Sequence, residues 1–74
     1  MQGVGLMAVD YENSARCWKK NKAALSRAQK AKDWRKVIDV CDQAFSDFED
    51  YGYPDAWHLF ERARYDALVA AQYA

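Results

Sequence analysis

The sequence has few of the residues that interrupt regular structure or cross-link a chain. It contains one proline, three glycines and two cysteines among 74 residues. No stretch approaches the roughly 18 consecutive apolar residues of a membrane span, and residues 1–9 lack the basic start of a signal peptide. Domains rarely fall below about 50 residues, so a second domain does not fit. These absences predict one globular domain in the cytoplasm, with both thiols reduced.

Metal sites and catalytic centres find little support in this composition. One histidine and two cysteines cannot supply the four ligands of a structural zinc site. Cys17 and Cys41 are expected roughly 10 Å apart along antiparallel helices, too far for a disulfide. His58 is spaced to contact Glu61 and Arg62 on a helix surface, an arrangement typical of a solvated face. Because nucleophile motifs and glycine-rich phosphate loops are also missing, we expect no metal, no cofactor and no enzymatic activity.

Net charge is zero, but the two halves of the chain differ sharply. Residues 1–40 contain nine Lys or Arg and four acids, a balance of +5, whereas residues 41–74 contain two Arg and seven acids, a balance of −5. Such asymmetry is found in proteins that present a basic face to a polyanion. The asymmetry is equally compatible with a small bundle whose basic and acidic halves attract each other, or with copies of the chain that associate head to tail.

Three amphipathic segments account for most of the chain. Apolar residues recur at helical spacing, which predicts helices over about residues 11–31, 34–51 and 55–73, after a flexible arm of residues 1–9. Short connections force neighbouring helices to run antiparallel, so we expect residues 10–74 to form an all-α, antiparallel three-helix bundle. A bundle this small is only modestly stable, and oligomerisation would stabilise it.

Each predicted helix has one apolar face. Counting outward from the turns places Trp18 level with Phe48 in the resulting core. The expected core residues of the three helices are, in order, Cys17, Trp18, Asn21, Ala24, Leu25 and Ala28 with Tyr11 at the edge; Trp34, Val37, Ile38, Cys41, Ala44, Phe45 and Phe48; and Ala56, Leu59, Phe60, Ala63, Ala67 and Ala70.

Signals for helix ends agree with these bounds. Gly52 fits the left-handed position that follows a helix, and Tyr53 would then contact Phe48, as in a Schellman motif. Acidic residues and a proline suit helix starts because of the orphan N–H groups there. The expected helix starts are marked by Asp10, by Asp33, and by Pro54 or Asp55.

Residues 21–70, roughly, resemble one tetratricopeptide repeat followed by the first helix of the next repeat. The matching positions are Ala24 and Ala28 on the first repeat helix, Lys32-Asp33-Trp34 at the turn, Val37, Cys41 and Ala44 on the second repeat helix, and Pro54-Asp55-Ala56-Trp57 at the entry to the next unit. The family's aromatic and glycine positions are occupied differently, by Leu25, Ala28 and Cys41. The resemblance implies an antiparallel helix pair with a third, capping helix, and a role in protein binding.

The third helix is apolar beyond its core face, which favours an interface. We expect a small non-catalytic protein–protein interaction module that associates with itself or docks a partner protein through this helix. Compact helical proteins of this kind are common among phage and other mobile-element products. The expected partner-binding residues are Trp57, His58, Tyr65, Leu68, Val69 and Tyr73. The alternative is that the N-terminal arm of residues 1–9 folds back and buries part of this surface within the same molecule.

The back of the first helix supports a second hypothesis, binding of nucleic acid. Five cations on one helix face could contact phosphates. Against this, Trp18 and Trp34 are expected to point into the core, where they cannot stack on bases, and the pI near 6.5 is far from basic. The phosphate-contacting residues in this alternative are Arg16, Lys19, Lys20, Arg27 and Lys30.

Overall fold

The computed structural model describes residues 11–73, which form three helices. They are α1 (Tyr11–Lys30), α2 (Trp34–Tyr51) and α3 (His58–Gln72). The described residues contain no strand, so the predicted all-α three-helix fold is confirmed. None of these helices combines the length and the hydrophobicity that crossing a membrane would require. The predicted arm and the Asp10 cap lie outside the described residues.

The turn between α1 and α2 is a Schellman motif without a glycine. Lys32 has φ of 56°, so the chain turns through the left-handed region at a residue with a Cβ. The N–H of Asp33 donates to the carbonyl of Ala28 at 3.0 Å, and the N–H of Lys32 donates to that of Gln29 at 3.0 Å. These two bonds satisfy the carbonyls at the end of α1 and end the helix at Lys30.

Both ends of α2 are defined by residues that the sequence had marked. The Asp33 side chain accepts a hydrogen bond from the N–H of Lys36 at 3.2 Å, which confirms the predicted N-cap. Gly52 has φ of 111° and ψ of 149°, and its N–H donates to the carbonyl of Phe48 at 2.8 Å. The predicted Schellman motif does not form, because this ψ directs the chain away from the helix and the bond to Phe48 comes from Gly52 and not from Tyr53. The Tyr53 ring lies 5.3 Å from the Phe48 ring, which confirms the predicted contact after the helix.

Helix α3 begins at His58, three residues later than the expected start at residue 55. Residues 55–57 form a turn instead, in which the N–H of Trp57 donates to the carbonyl of Pro54 at 3.1 Å. Trp57 occupies the N-cap position, where its ring packs against Phe45 and Tyr53 and provides no side-chain acceptor. The helix therefore starts through hydrogen bonds of three-residue spacing, including the bond from Phe60 to Trp57 at 3.1 Å.

The core is built around α2, which packs against both other helices. Its buried residues are Leu25, Ala28, Val37, Val40, Cys41, Ala44, Phe48, Phe60, Ala63 and Ala67. Trp18 lies 6.3 Å from Phe48, as the register predicted, and 5.4 Å from Phe60, ring to ring. The Trp18–Phe60 contact joins α1 to α3 directly, so three rings from three helices form one end of the core.

Some positions differ from the predicted core. Val40 is buried although the pattern did not select it, whereas Leu59 and Ala56 are exposed. Because α3 begins later than expected, Ala56 lies in the turn and Leu59 in the first turn of the helix, at the margin of the contact with α2. The α3 core face therefore consists of Phe60, Ala63 and Ala67.

A buried polar contact joins α1 to α2. The amide of Asn21 donates to Oδ2 of Asp47 at 2.8 Å, and both residues are buried. Gln43, one turn before Asp47, donates to the other carboxylate oxygen at 3.2 Å. Since each carboxylate oxygen has a donor, the buried charge of Asp47 is compensated by hydrogen bonds.

Candidate protein-interaction surface

The outward side of α3 presents a row of large apolar side chains. Tyr65, Leu68, Val69 and Tyr73 are 64%, 45%, 36% and 82% exposed. Their spacing of three and four residues places them next to one another along the helix. We call these four residues the outer stripe. All four were predicted as partner-binding residues from the sequence.

Trp57 and His58, the other two predicted partner-binding residues, lie apart from the outer stripe. The Trp57 ring packs 6.5 Å from Phe45 and 5.5 Å from Tyr53, and the residue is half-buried against the core. His58 is exposed, with its ring 3.9 Å from that of Trp57. Its Nδ1 lies 3.5 Å from Oε1 of Glu61, which is the predicted contact on the helix surface. Trp57 therefore belongs to the packing at the α2–α3 connection.

A groove runs beside the outer stripe, between α2 and α3. Its wider part is a hollow of about 440 Å³ lined by Asp42, Phe45, Glu61, Arg64, Tyr65 and Leu68. A second hollow, of about 390 Å³, is lined by Arg35, Ile38, Asp39 and Ala71. The α2 residues at positions 35, 38, 42 and 45 follow one another at helical spacing, so both hollows lie along one flank of the helix pair. We call this flank the α2–α3 groove.

Charges in the α2–α3 groove are ordered along its length. Glu61 lies at one end and Arg35 at the other. Between them, Nε of Arg64 donates to Oδ1 of Asp42 at 2.9 Å, which neutralises both groups and ties α3 to α2. The apolar side chains of Phe45, Leu68 and Ile38 fall between these charged positions. The groove thus combines apolar surface with Glu61 at one end and Arg35, beside Asp39, at the other. Sequence periodicity could not identify it.

The five cations predicted on the back of α1 are all exposed. Arg16 is held by its own helix, 3.1 Å from Oδ1 of Asn13 and 3.9 Å from Oε2 of Glu12. No ion pair within residues 11–73 involves the other four, Lys19, Lys20, Arg27 and Lys30. A hollow of about 340 Å³ between α1 and α2 has Lys20, Arg27 and Lys36 in its lining. The α1 face is therefore a free cationic surface that extends onto α2.

The cysteines are separated and free. Cys41 is fully buried, and burial, together with the neighbouring Asp42 carboxylate, raises the pKa of its thiol to about 11. Cys17 is half-buried on α1. Over the described residues, no group of three or more His, Cys, Asp and Glu side chains could hold a metal ion.

Comparisons with protein-family models, with curated proteins and with solved structures find no match to this chain. The function proposed below therefore rests on the geometry and chemistry of the described residues.

Proposed function

We propose that this protein is a small, non-catalytic protein–protein interaction module of the cytoplasm that binds through the outward side of α3. The observation that supports the proposal is the outer stripe itself. Four large apolar side chains lie side by side on one helix, between 36% and 82% exposed. Contiguous apolar surface of this kind marks interfaces, and tyrosine is among the residues most enriched at their energetic centres.

The free energy gained by burying the outer stripe is large enough to anchor an interface. Burying a fully exposed large apolar side chain contributes about 1.5–3 kcal/mol. Since the four side chains are already partly covered, complete burial of the outer stripe would contribute a few kcal/mol, roughly the energy of a hot-spot cluster. The adjoining α2–α3 groove gives a partner side chain somewhere to insert.

The resemblance to a tetratricopeptide hairpin favours the same class of function. Proteins of that family bind other proteins with surfaces formed between packed helix pairs, generally over three or more repeats. In this chain the corresponding surface would be the single flank that α2 and α3 form together. We therefore propose binding by one groove and one stripe rather than by an extended superhelix.

Replacement of two stripe residues tests the proposal. Tyr65→Ala with Val69→Asp should weaken association with a second copy or with a protein captured from the producing cells by at least roughly tenfold, because it removes an aromatic anchor and places a charge in the interface. The matched control is Tyr11→Ala with Leu59→Asp, which makes the same chemical changes at exposed positions off the stripe. Light scattering coupled to size exclusion and affinity capture measure both kinds of association.

Two results would contradict the proposal. Association that the stripe variant and the control variant reduce equally would place the interface elsewhere. Unfolding of the stripe variant, detected by circular dichroism, would show that Tyr65 and Val69 stabilise the fold, since exposed substitutions normally change stability by less than about 0.5 kcal/mol.

A second candidate function, nucleic-acid binding through α1, is supported by the unpaired cations of that face. Lys20→Glu with Arg27→Glu should then abolish a salt-dependent association with DNA or RNA, because lost phosphate contacts reduce both affinity and its salt dependence. Arg35→Glu with Arg62→Glu is the control of equal net charge. A fluorescence-anisotropy titration at several salt concentrations in which both variants behave like the unmodified chain would exclude this candidate.

A further inference from the structure

We propose that the α2–α3 groove binds a second copy of this chain in antiparallel orientation, forming a two-fold symmetric dimer. The inference rests on the proposed function, since it names the partner of the same surface. Its two supports are the order of charges along the groove and the position of the apolar residues at its middle.

The charge order makes the groove complementary to itself. Ala71, which lines the same hollow as Arg35, lies ten residues beyond Glu61, so the two charged ends are about 15 Å apart along the helix axis. That separation exceeds the screening length of about 8–10 Å at physiological salt. Glu61 and Arg35 therefore cannot neutralise each other within one molecule. A two-fold axis perpendicular to the helices brings Glu61 of each copy to the end of the groove where Arg35 of the other copy lies.

The centre of the groove suits such an axis. The midpoint between the two charged ends, where a two-fold axis would pass, falls between Tyr65 and Leu68 on α3, about five residues from each end. The Asp42–Arg64 pair lies in the same hollow as Glu61 and is already neutral, so it adds little net repulsion to the interface. Tyr65 and Leu68 lie beside the pair, so the apolar residues of one copy meet those of the other. Symmetric dimers with an isologous interface are the commonest oligomers of soluble proteins.

Arg35 is not placed where it would stabilise its own helix. It lies in the first turn of α2, which contains no acidic residue and where the helix dipole disfavours a cation. No ion pair within residues 11–73 involves it, although Asp39 lines the same hollow. A carboxylate from a second copy would compensate this charge.

A parallel arrangement of two copies is disfavoured by the same charges. It would place Glu61 against Glu61 and Arg35 against Arg35, two like-charge contacts in one interface. The antiparallel dimer has two opposite-charge contacts instead. Charge reversal therefore distinguishes the two arrangements.

The experiment uses the full-length chain with Arg35→Glu, with Glu61→Arg, and with both changes together. Each single variant creates two like-charge contacts in its own homodimer. We therefore expect the dissociation constant of its dimer to rise by roughly tenfold or more. The double variant exchanges the charged ends and should dimerise like the unmodified chain. An equimolar mixture of the two single variants should form heterodimers, since every contact in the mixed dimer is between opposite charges.

Light scattering and native mass spectrometry measure mass and composition over a concentration series, and circular dichroism verifies folding. Dimers of the unmodified chain, weakened in the single variants and restored in the mixture and in the double variant, are the expected result. A monomer up to millimolar concentration, an assembly larger than a dimer, or a dimer indifferent to all charge reversals would overturn the inference.

The failure of the inference and the failure of the proposed function give different results. If Tyr65→Ala with Val69→Asp disrupts an association that the charge reversals leave unchanged, the antiparallel dimer is wrong and the outer stripe remains a binding surface. If the stripe variant changes no association at all, the proposed function is wrong as well.

Discussion

At the scale of single residues, a buried carboxylate determines how α1 and α2 meet. Asp47 accepts hydrogen bonds from Asn21 of α1 at 2.8 Å and from Gln43 of its own helix at 3.2 Å. A slip of α1 by one turn would remove the Asn21 donor and leave one oxygen of this buried carboxylate without a partner, which is strongly unfavourable. The contact therefore favours one register of the two helices over its neighbours, in addition to the apolar packing around it.

The two thiols are predicted to differ in reactivity. The raised pKa of Cys41, about 11 against the ordinary 9.0, means that its thiol stays protonated at pH 8, where it is also fully covered. Since the thiolate is the reactive form, Ellman's reagent should modify Cys17 first and Cys41 only when the chain unfolds. The Cys17→Ala variant isolates the Cys41 signal. Comparable rates for the two thiols under native conditions would contradict the packing described for α2.

The same pKa shift predicts how stability responds to alkaline pH. The folded state holds the Cys41 proton more tightly than the unfolded state, so the stabilisation by the neutral thiol is complete below pH 9.0 and is lost as pH rises towards 11. In a Cys41→Ala variant, the free energy of unfolding should not show the loss that this thiol causes between pH 9.0 and about 11. Denaturant unfolding across that pH range compares the two chains.

Residue patterns predicted much of the core, but not the polar contact within it. Helical spacing placed Asn21 on the buried face and Gln43 on the solvent face, but it did not select Asp47 for either. Identification of Asp47 requires knowing which residue of α1 lies opposite it. That is a tertiary relationship, and periodicity within one helix does not contain it.

At the scale of the helices, the connection between α1 and α2 is strained at one residue. Lys32 takes a positive φ of 56°, which costs an L-residue with a Cβ about 1–2 kcal/mol. The residue stays in this conformation because two hydrogen bonds close α1 around it and because Asp33 must then cap α2. The sequence predicted a turn at Lys32-Asp33-Trp34 but not its left-handed residue, since glycine is the usual signal for that conformation.

Glycine at this position should stabilise the protein. Lys32→Gly relieves the positive φ, and we expect the free energy of unfolding to rise by about 0.5–1 kcal/mol after the greater freedom of glycine in the unfolded chain is subtracted. Lys30→Gly, two residues earlier and still within α1, should lower it by about 0.5–1 kcal/mol. Urea denaturation measures both. Destabilisation by Lys32→Gly would show that this residue does not occupy the left-handed region.

The start of α3 shows where the signals for helix ends were insufficient. Pro54 and Asp55 are favourable at a helix start, and the predicted start followed from them. The helix nevertheless begins at His58, because the Trp57 ring packs against Phe45 and Tyr53 and the intervening residues form a turn that allows this packing. Side-chain packing across the connection thus decided a boundary that local preferences left three residues too early.

At the scale of the whole molecule, α2 lies between α1 and α3 and supplies most of the core, so α3 has a long outward side. Helical spacing explains the exposure of the outer stripe, since it places Tyr65, Val69 and Tyr73 nearly opposite the buried face and Leu68 on its flank. It could not predict the groove beside the stripe. The groove depends on the register and rotation of both helices, which also bring Asp42 of α2 to Arg64 of α3.

The charge asymmetry of the chain also gains meaning at this scale. Antiparallel helices bring Arg27, Lys30, Lys32, Arg35 and Lys36 to the end of the molecule that contains the α1–α2 turn. This end also contains Asp33 and Asp39. The other end contains Glu49, Asp50, Asp55 and Glu61 together with Arg16, Lys19, Arg62 and Arg64. An antiparallel neighbour would place each of these ends beside its opposite, in agreement with the dimer proposed above.

The most direct test of the central claim, that the α2–α3 flank binds a second copy, is a dilution series followed by two-dimensional ¹H–¹⁵N NMR of the unmodified chain. We predict concentration-dependent shifts confined to the flank and the outer stripe, with Arg35, Glu61, Tyr65 and Leu68 among the most affected amides. The amides of Lys19, Lys20 and Arg27 on the back of α1 should stay constant. Spectra that superimpose at every concentration, or shifts confined to the α1 face, would contradict the account.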